Sequence, residues 1–253
     1  MKPGLRSPPP VPSGRRPLAG PEALEAALDA GLPVRLVLTA HAPRDPAVRA
    51  AVARAHAAGV AVRRASANSL WRLGPPGAQA EVLALVGPDP AASRETVLAT
   101  GGAAWLLVGS AYAGNTGFAL RTAEVSGADG IFVANDFDHE GRREALRASM
   151  RADRFLPVFW EPAPAVVRDA RAAGRRVLAV EDVGREAPWE VDLTQPVLLV
   201  VGGERHGIPA EVLDACDGVL RIPVRGFIPS YNLQAAMAMV AGERLRQLAS
   251  REG

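Results

Sequence analysis

The sequence predicts an α/β protein in two units, the larger carrying a mostly parallel sheet. Short apolar runs of strand length alternate with helix-length segments, and glycine and proline mark the joints. A Gly87-Pro88-Asp89-Pro90 cluster then breaks the pattern in two. With 253 residues there is enough chain to bury two modest cores.

Composition narrows the class. At 48% hydrophobic and 22% charged residues the chain is a globular protein and not a disordered one. No apolar run approaches the roughly 20 residues needed to cross a bilayer. The start, with Lys2, Arg6, Arg15 and Arg16 among prolines, lacks the apolar centre of a signal peptide. The expectation is a cytoplasmic protein without a membrane partner. Cys216 is the sole cysteine and the four histidines lack metal-ligand spacing, so neither an internal disulfide nor a metal site is expected. The formal net charge is +2, and every cation except Lys2 is arginine. That bias has two readings, codon usage in a GC-rich genome or a forked grip on phosphates.

The elements follow in order. Residues 1–20 hold Pro3, Pro8, Pro9, Pro10, Pro12 and Pro17 with almost no apolar periodicity, which predicts a disordered basic tail. Residues 21–88 predict a small α/β unit. Pro21 starts a helix with Leu24, Ala27 and Leu28 on one face, and Gly31 ends it. A strand at 34–38 comes next, then a helix through Val48, Val52 and Ala55, a strand at Val60 and Val62, a helical turn at 69–73 and a strand at 81–86. The alternation restarts for residues 93–253. Apolar runs at 104–108, 130–133, 156–159, 177–180, 197–201 and 219–222 predict buried parallel strands. Helices are expected at 116–126, 141–152, 164–173, 210–215 and 231–248, on both faces of that sheet. The last of them carries Leu233, Ala236, Met237, Val240, Leu245 and Leu248, too wide an apolar surface for one contact face.

Glycine loops in such a sheet first suggest a nucleotide. Gly109 to Gly114 has P-loop spacing and Thr116 suits its Ser/Thr position, but Asn115 stands where the Lys belongs. Neither unit has a Gly-x-Gly-x-x-Gly turn after its first strand, which weighs against NAD. Glycines gather instead after the strands ending at Val201 and Ile222, where backbone can approach a ligand closely.

Three segments there and upstream form an ordered set. They are Asn115-Thr-Gly117-Phe-Ala-Leu-Arg121-Thr-Ala123-Glu-Val-Ser-Gly127, then Gly202-Gly203-Glu204-Arg205-His206-Gly207-Ile208, then Ile222-Pro223-Val224 through Gly226 to Ser230-Tyr231-Asn232. Together with Arg147-Ala148-Ser149-Met150 they resemble the SpoU/TrmH family, one branch of the SPOUT methyltransferases. Arg205 and Arg151 stand where that family usually has glycine, and Tyr231 replaces the leucine of its Ser-Leu-Asn.

The resemblance implies a knotted C-terminal domain, an α/β trefoil knot, with the last helix joining two protomers into a homodimer. It implies S-adenosylmethionine as cofactor and methyl transfer to an RNA ribose 2′-hydroxyl, without a metal. Carry-over puts the cofactor contacts, largely main-chain, at Gly202, Ile222 and Tyr231, with Gly203 and Gly226 shaping the loops. Arg121 then orients the target nucleotide, while Asn115, Glu204, Ser230 and Asn232 complete the catalytic hydrogen-bond network. A guanidinium is a poor general base at neutral pH, so a phosphate clamp suits Arg121 better than proton removal. Its place near an expected helix N-terminus favours an anion, and Asn115 also suits a helix cap. Arg142, Arg143, Arg147, Arg151 and Arg154 crowd one segment, either a solvated face or a path for an RNA backbone.

The small N-terminal unit resembles the ribosomal-protein-like substrate-binding domain of the same family, through Gly59-Val60, Leu70, Arg72-Leu73 and Gln79 to Val86; the family's His-Gln-Gly tract survives only as Ala78-Gln79-Ala80. Such a module points to structured RNA, ribosomal more than transfer RNA. Two alternatives stay open: transfer RNA as substrate, and an RNA-binding protein of this fold that has lost cofactor affinity, to which Arg205 and Tyr231 point.

Overall fold

The computed structural model describes residues 16–252, and the chain divides after Asp89 into two compact units. In the first, four strands pair in the order β1-β4-β2-β3, namely β1 (Arg16–Ala19), β2 (Val34–Ala40), β3 (Ala61–Ala65) and β4 (Val82–Val86). β2 and β3 are parallel, and the other pairs are antiparallel. Helices α1 (Pro21–Asp29) and α2 (Pro46–Ala57) cover one face, packing Leu24, Ala27, Val48, Ala51 and Ala55 on Val37, Val82, Ala84 and Val86. α2 starts where Asp45 accepts the amide of Ala47 and Pro46 takes the first turn. The short α3 (Ala67–Leu73), capped by Ser66, lies on the other face through Leu70.

Strand β1 corrects the expectation that residues 1–20 form a disordered tail. Arg16–Ala19 pairs antiparallel with β4, from Arg16 opposite Val86 to Ala19 opposite Leu83. An edge strand tolerates Pro17, and Leu18 packs on the core from there. Pairing with a strand over 60 residues away leaves no local periodicity to read. The rest of the expected tail, residues 1–15, lies outside the described residues.

In the second unit six strands, all parallel, run β10-β8-β9-β5-β6-β7. They are β5 (Ala103–Val108), β6 (Gly130–Ala134), β7 (Val158–Trp160), β8 (Arg176–Val180), β9 (Val197–Gly202) and β10 (Gly218–Leu220). Alternate residues serve opposite faces. Trp105, Leu107, Ile131, Leu178 and Leu199 meet α5 (Ala113–Val125) and α9 (Leu233–Glu252). Leu106, Phe132, Val177, Leu198 and Val200 meet α4 (Arg94–Ala99) and α7 (Ala163–Ala172). Burial on both sides explains why β5, β6, β8 and β9 read as unbroken apolar runs, while the edge strands β7 and β10 are only half-buried.

Several boundaries differ from the sequence expectation. Helix α4, capped by Ser93, was not anticipated, because only Val97 and Leu98 mark its six residues. Helix α6 (His139–Ala148) stops short of 152, since Met150 and Arg151 have φ of 55° and 64°. Arg151 thus occupies the left-handed region that glycine adopts most easily. Helix α9 starts at Leu233 instead of Tyr231, because Asn232 Oδ1 accepts the amide of Gln234 at 2.9 Å and ends the preceding loop. Among the described residues no helix is long and apolar enough to cross a membrane.

Candidate active site

The loops leaving β8, β9 and β10 enclose a pocket of about 400 Å³ at the carboxyl edge of the parallel sheet, the edge at which open α/β sheets bind ligands. Val180, Val201, Ile222 and Val224 give it an apolar lining, and Leu233 and Ala236 at the start of α9 contribute a further side. Polar groups come from Glu181, Asp182, Glu204, Arg205, Ser230, Tyr231 and Asn232.

The loop after β9 owes its shape to backbone-on-backbone packing. A Cβ on Gly203 would overlap the Gly109 carbonyl, and one on Gly202 would overlap Gly207. The Gly203 amide donates to Val108 O at 2.7 Å, while the chain turns back through Gly207, φ 61°, whose amide donates to Gly203 O. Two carboxylates secure this turn. Glu181 Oε1 accepts the Ile208 amide at 2.7 Å. Glu204 accepts the Asn115 side-chain amide at 2.6 Å through Oε1 and the Ala111 amide at 3.0 Å through Oε2. Glu204 therefore fastens the pocket to the loop after β5 and to the first turn of α5.

The second loop is closed differently. Tyr231 donates its hydroxyl hydrogen to Pro223 O at 3.3 Å, drawing the two ends of the segment together, and Asn232 then caps α9. Between them Phe227 and Ile228 project into solvent.

Gly202, Gly203, Glu204, Ile222, Ser230, Tyr231 and Asn232, seven of the ten residues singled out from sequence, line this one pocket. Asn115 joins it through Glu204. Arg121 and Gly226 do not line it. Arg121 directs Nη1 to the Met150 sulfur at 3.4 Å. It is also no helix-start residue: α5 begins at Ala113, so Arg121 stands about 12 Å along the axis, beyond the first turn where the helix dipole acts. Asn115 lies within α5, whose cap position is Tyr112, so it is a tether for Glu204 and not a cap. At Gly226 a side chain would meet nothing within 4 Å and φ is not positive, so the structure gives no reason for glycine there.

The departures from the family pattern are accommodated. Arg205 lines the pocket without a positive φ, its guanidinium 5.6 Å from the Tyr112 ring. Hydrogen bonding to Tyr112, with a smaller Coulombic contribution, raises the Arg205 pKa above the ordinary value, so it stays cationic. Gly117 has a structural reason, since a Cβ there would stand 2.5 Å from Ala145 O, and its absence lets α5 cross α6 closely.

Sequence reasoning missed Glu181 and Asp182. Their signal was position: they directly follow the strand ending at Val180, at the carboxyl edge next to β9. With Glu204 they set three carboxylates against the single Arg205 guanidinium, so the lining is net negative. Among the described residues no cluster of His, Cys, Asp or Glu is arranged to hold a metal.

A family model described as the SpoU rRNA Methylase family matches residues 104–242. The 23S rRNA (uridine(2479)-2′-O)-methyltransferase of Streptomyces viridochromogenes is 32% identical over 140 residues, 53% of this chain and 49% of that protein. The 23S rRNA (guanosine-2′-O-)-methyltransferase RlmB of Xanthomonas axonopodis pv. citri is 30% identical over 195 residues, 75% of this chain and 70% of that protein. The match thus spans about half the length of the first relative and more than two thirds of the second. Among solved structures, the SpoU methyltransferase AviRb of Streptomyces viridochromogenes in complex with AdoMet aligns with a TM-score of 0.56 at 26% identity, covering 94% of this chain and 91% of that one.

Proposed function

The chain belongs to the SpoU rRNA methylase family, and from that premise we propose that it is an S-adenosylmethionine-dependent methyltransferase acting on a ribose 2′-hydroxyl of ribosomal RNA. The observation that carries this reading is the convergence of the loops after β8, β9 and β10 on one pocket.

The pocket fits the cofactor on three counts. Its volume of about 400 Å³ is within the range of small-molecule sites. Its apolar lining suits a purine and ribose, and its carboxylates suit a cation. Gly202 to Glu204, Ile222 and Tyr231 would hold the ligand, largely through main-chain groups. When bound, S-adenosylmethionine supplies an electrophilic methyl group on a positively charged sulfur.

The chain's own residues then have positioning work, since an in-line transfer is accelerated chiefly by holding the partners close and aligned. Glu204, clamped by Asn115 and the Ala111 amide, fixes the loop that bears the ligand contacts. Ser230 and Asn232 border the pocket where the acceptor ribose would enter. Arg121, on the helix that carries Asn115 but outside the pocket, suits a phosphate of the RNA backbone. Exposed Arg143 and Arg147 on α6 extend a basic surface for that strand.

The same reading extends to a C-terminal trefoil knot and to a homodimer through α9, where Met239 and Leu245 stand exposed although the helix already buries Met237 and Val240. Calorimetric titration of the full chain with S-adenosylmethionine tests the site. One micromolar site, weakened about tenfold or more by Glu204→Ala, is expected; absence of binding heat together with no protection in thermal melts would refute it.

A further inference from the structure

The face of the four-stranded sheet opposite α1 and α2 carries α3, and beside this helix runs a groove of about 590 Å³. Ala40, Leu70 and Ala80 give it an apolar floor. One wall is the Trp71 ring, 63% exposed although tryptophan is highly buried on average. Asn68, Gln79 and Glu81 bring two amides and a carboxylate to its edge.

The fringe of the groove is basic. Glu81 Oε2 accepts the amides of Arg44 and Asp45 at 2.8 and 3.1 Å, which holds the loop after β2, and with it the exposed Arg44, against the groove. Arg72 follows Trp71 on α3 and is exposed. Arg63 is exposed on β3 two residues before Ala65, which packs with Leu70, so strand alternation puts Arg63 on the same sheet face.

An apolar groove with an exposed indole, amides able to donate and accept, and guanidinium groups nearby suits an unpaired nucleobase with its flanking phosphates. We propose that this groove binds a splayed-out RNA base stacked on Trp71, its edge met by Asn68 and Gln79 and its backbone held by Arg44, Arg63 and Arg72. A base inside a duplex offers no free face, so the site selects loops, bulges or ends over paired stems. The inference deepens the RNA-substrate reading, and its test involves no methyl transfer, so failure of either leaves the other standing.

The probe is a short unpaired oligoribonucleotide titrated into the full-length protein, with a hairpin that pairs the same bases as competitor. Tryptophan emission is expected to be quenched on binding. Trp71→Phe should abolish most of the quench while keeping most of the affinity. Trp71→Ala should weaken binding about 5- to 150-fold, the value of one lost stacking contact. Because Trp71 is exposed, both variants should melt and bind S-adenosylmethionine as the parent does. An unchanged quench in Trp71→Phe, an unchanged affinity in Trp71→Ala, or equal competition by the paired hairpin would overturn the proposal. So would occupation of the groove by a peptide that the oligonucleotide cannot displace.

Discussion

The two edges of the six-stranded sheet are finished in opposite ways. At the amino edge Arg175, its side chain fully buried, donates to the carbonyls of Val97, Leu98, Thr100, Gly102 and Val197, to Thr100 Oγ1, and to Asp129 at 2.8 Å. One guanidinium thereby ties α4, the start of β6 and the starts of β5 and β9 together by hydrogen bonds. At the carboxyl edge β8, β9 and β10 splay into loops that leave a hollow with an excess of carboxylates. Dense hydrogen bonding at one end thus contrasts with incomplete contact at the other, where a ligand can supply what is missing.

Breaking the amino edge should have the largest effect. Arg175→Ala removes the buried cation paired with Asp129, which keeps only the Gly102 amide, and takes a donor from several buried carbonyls, so a loss of about 3–5 kcal/mol in unfolding free energy is expected from denaturant titration. A loss below about 1 kcal/mol would show that the edge is not held by this residue. At the carboxyl edge the order reverses, and function should fall while stability holds. Glu204→Gln keeps the shape but replaces one acceptor oxygen by a donor, so methyl transfer and cofactor affinity should fall about 10- to 100-fold with a nearly unchanged melting temperature.

Arg121→Ala sharpens the comparison further, because Arg121 lies outside the pocket. Its loss should weaken RNA binding about 10-fold, the scale of one charge-assisted contact, and leave S-adenosylmethionine binding unaltered. An equal loss of cofactor affinity would put the guanidinium in the pocket after all. The smallest effect concerns Cys216, which does not line the pocket. Burial first, then the charge of Asp217, raises its pKa from the ordinary 9.0 to about 11. The folded thiol keeps its proton where the unfolded one loses it, so this contribution to stability is complete below about pH 9 and fades as pH rises toward 11. Alkylation of the native protein at pH 7 should accordingly be slow, and fast only after unfolding.

The inner strands of the larger sheet, β5, β6, β8 and β9, were legible because they are buried on both faces, and the pocket loops because glycine is obligatory where Gly203 lies on Gly109. What escaped depends on distant partners. Strand β1 exists through its pairing with β4, and Glu181 acquires its role from Ile208, 27 residues on. Arg175 carries no local signal, since the groups it satisfies come from three separate segments, residues 97–102, Asp129 and Val197. The aim of Arg121 was misjudged for a local reason, because α5 begins three residues earlier than the apolar pattern suggests.

The most direct measurement is the chemical position of the transferred methyl group. The protein is incubated with isotopically labelled S-adenosylmethionine and unmodified 23S rRNA, and the RNA is digested to nucleosides and separated. Label in a 2′-O-methylnucleoside, abolished when the loop residue Glu204 is replaced by alanine, is the expected result; label confined to a methylated base, or no label in 23S rRNA, would contradict the account.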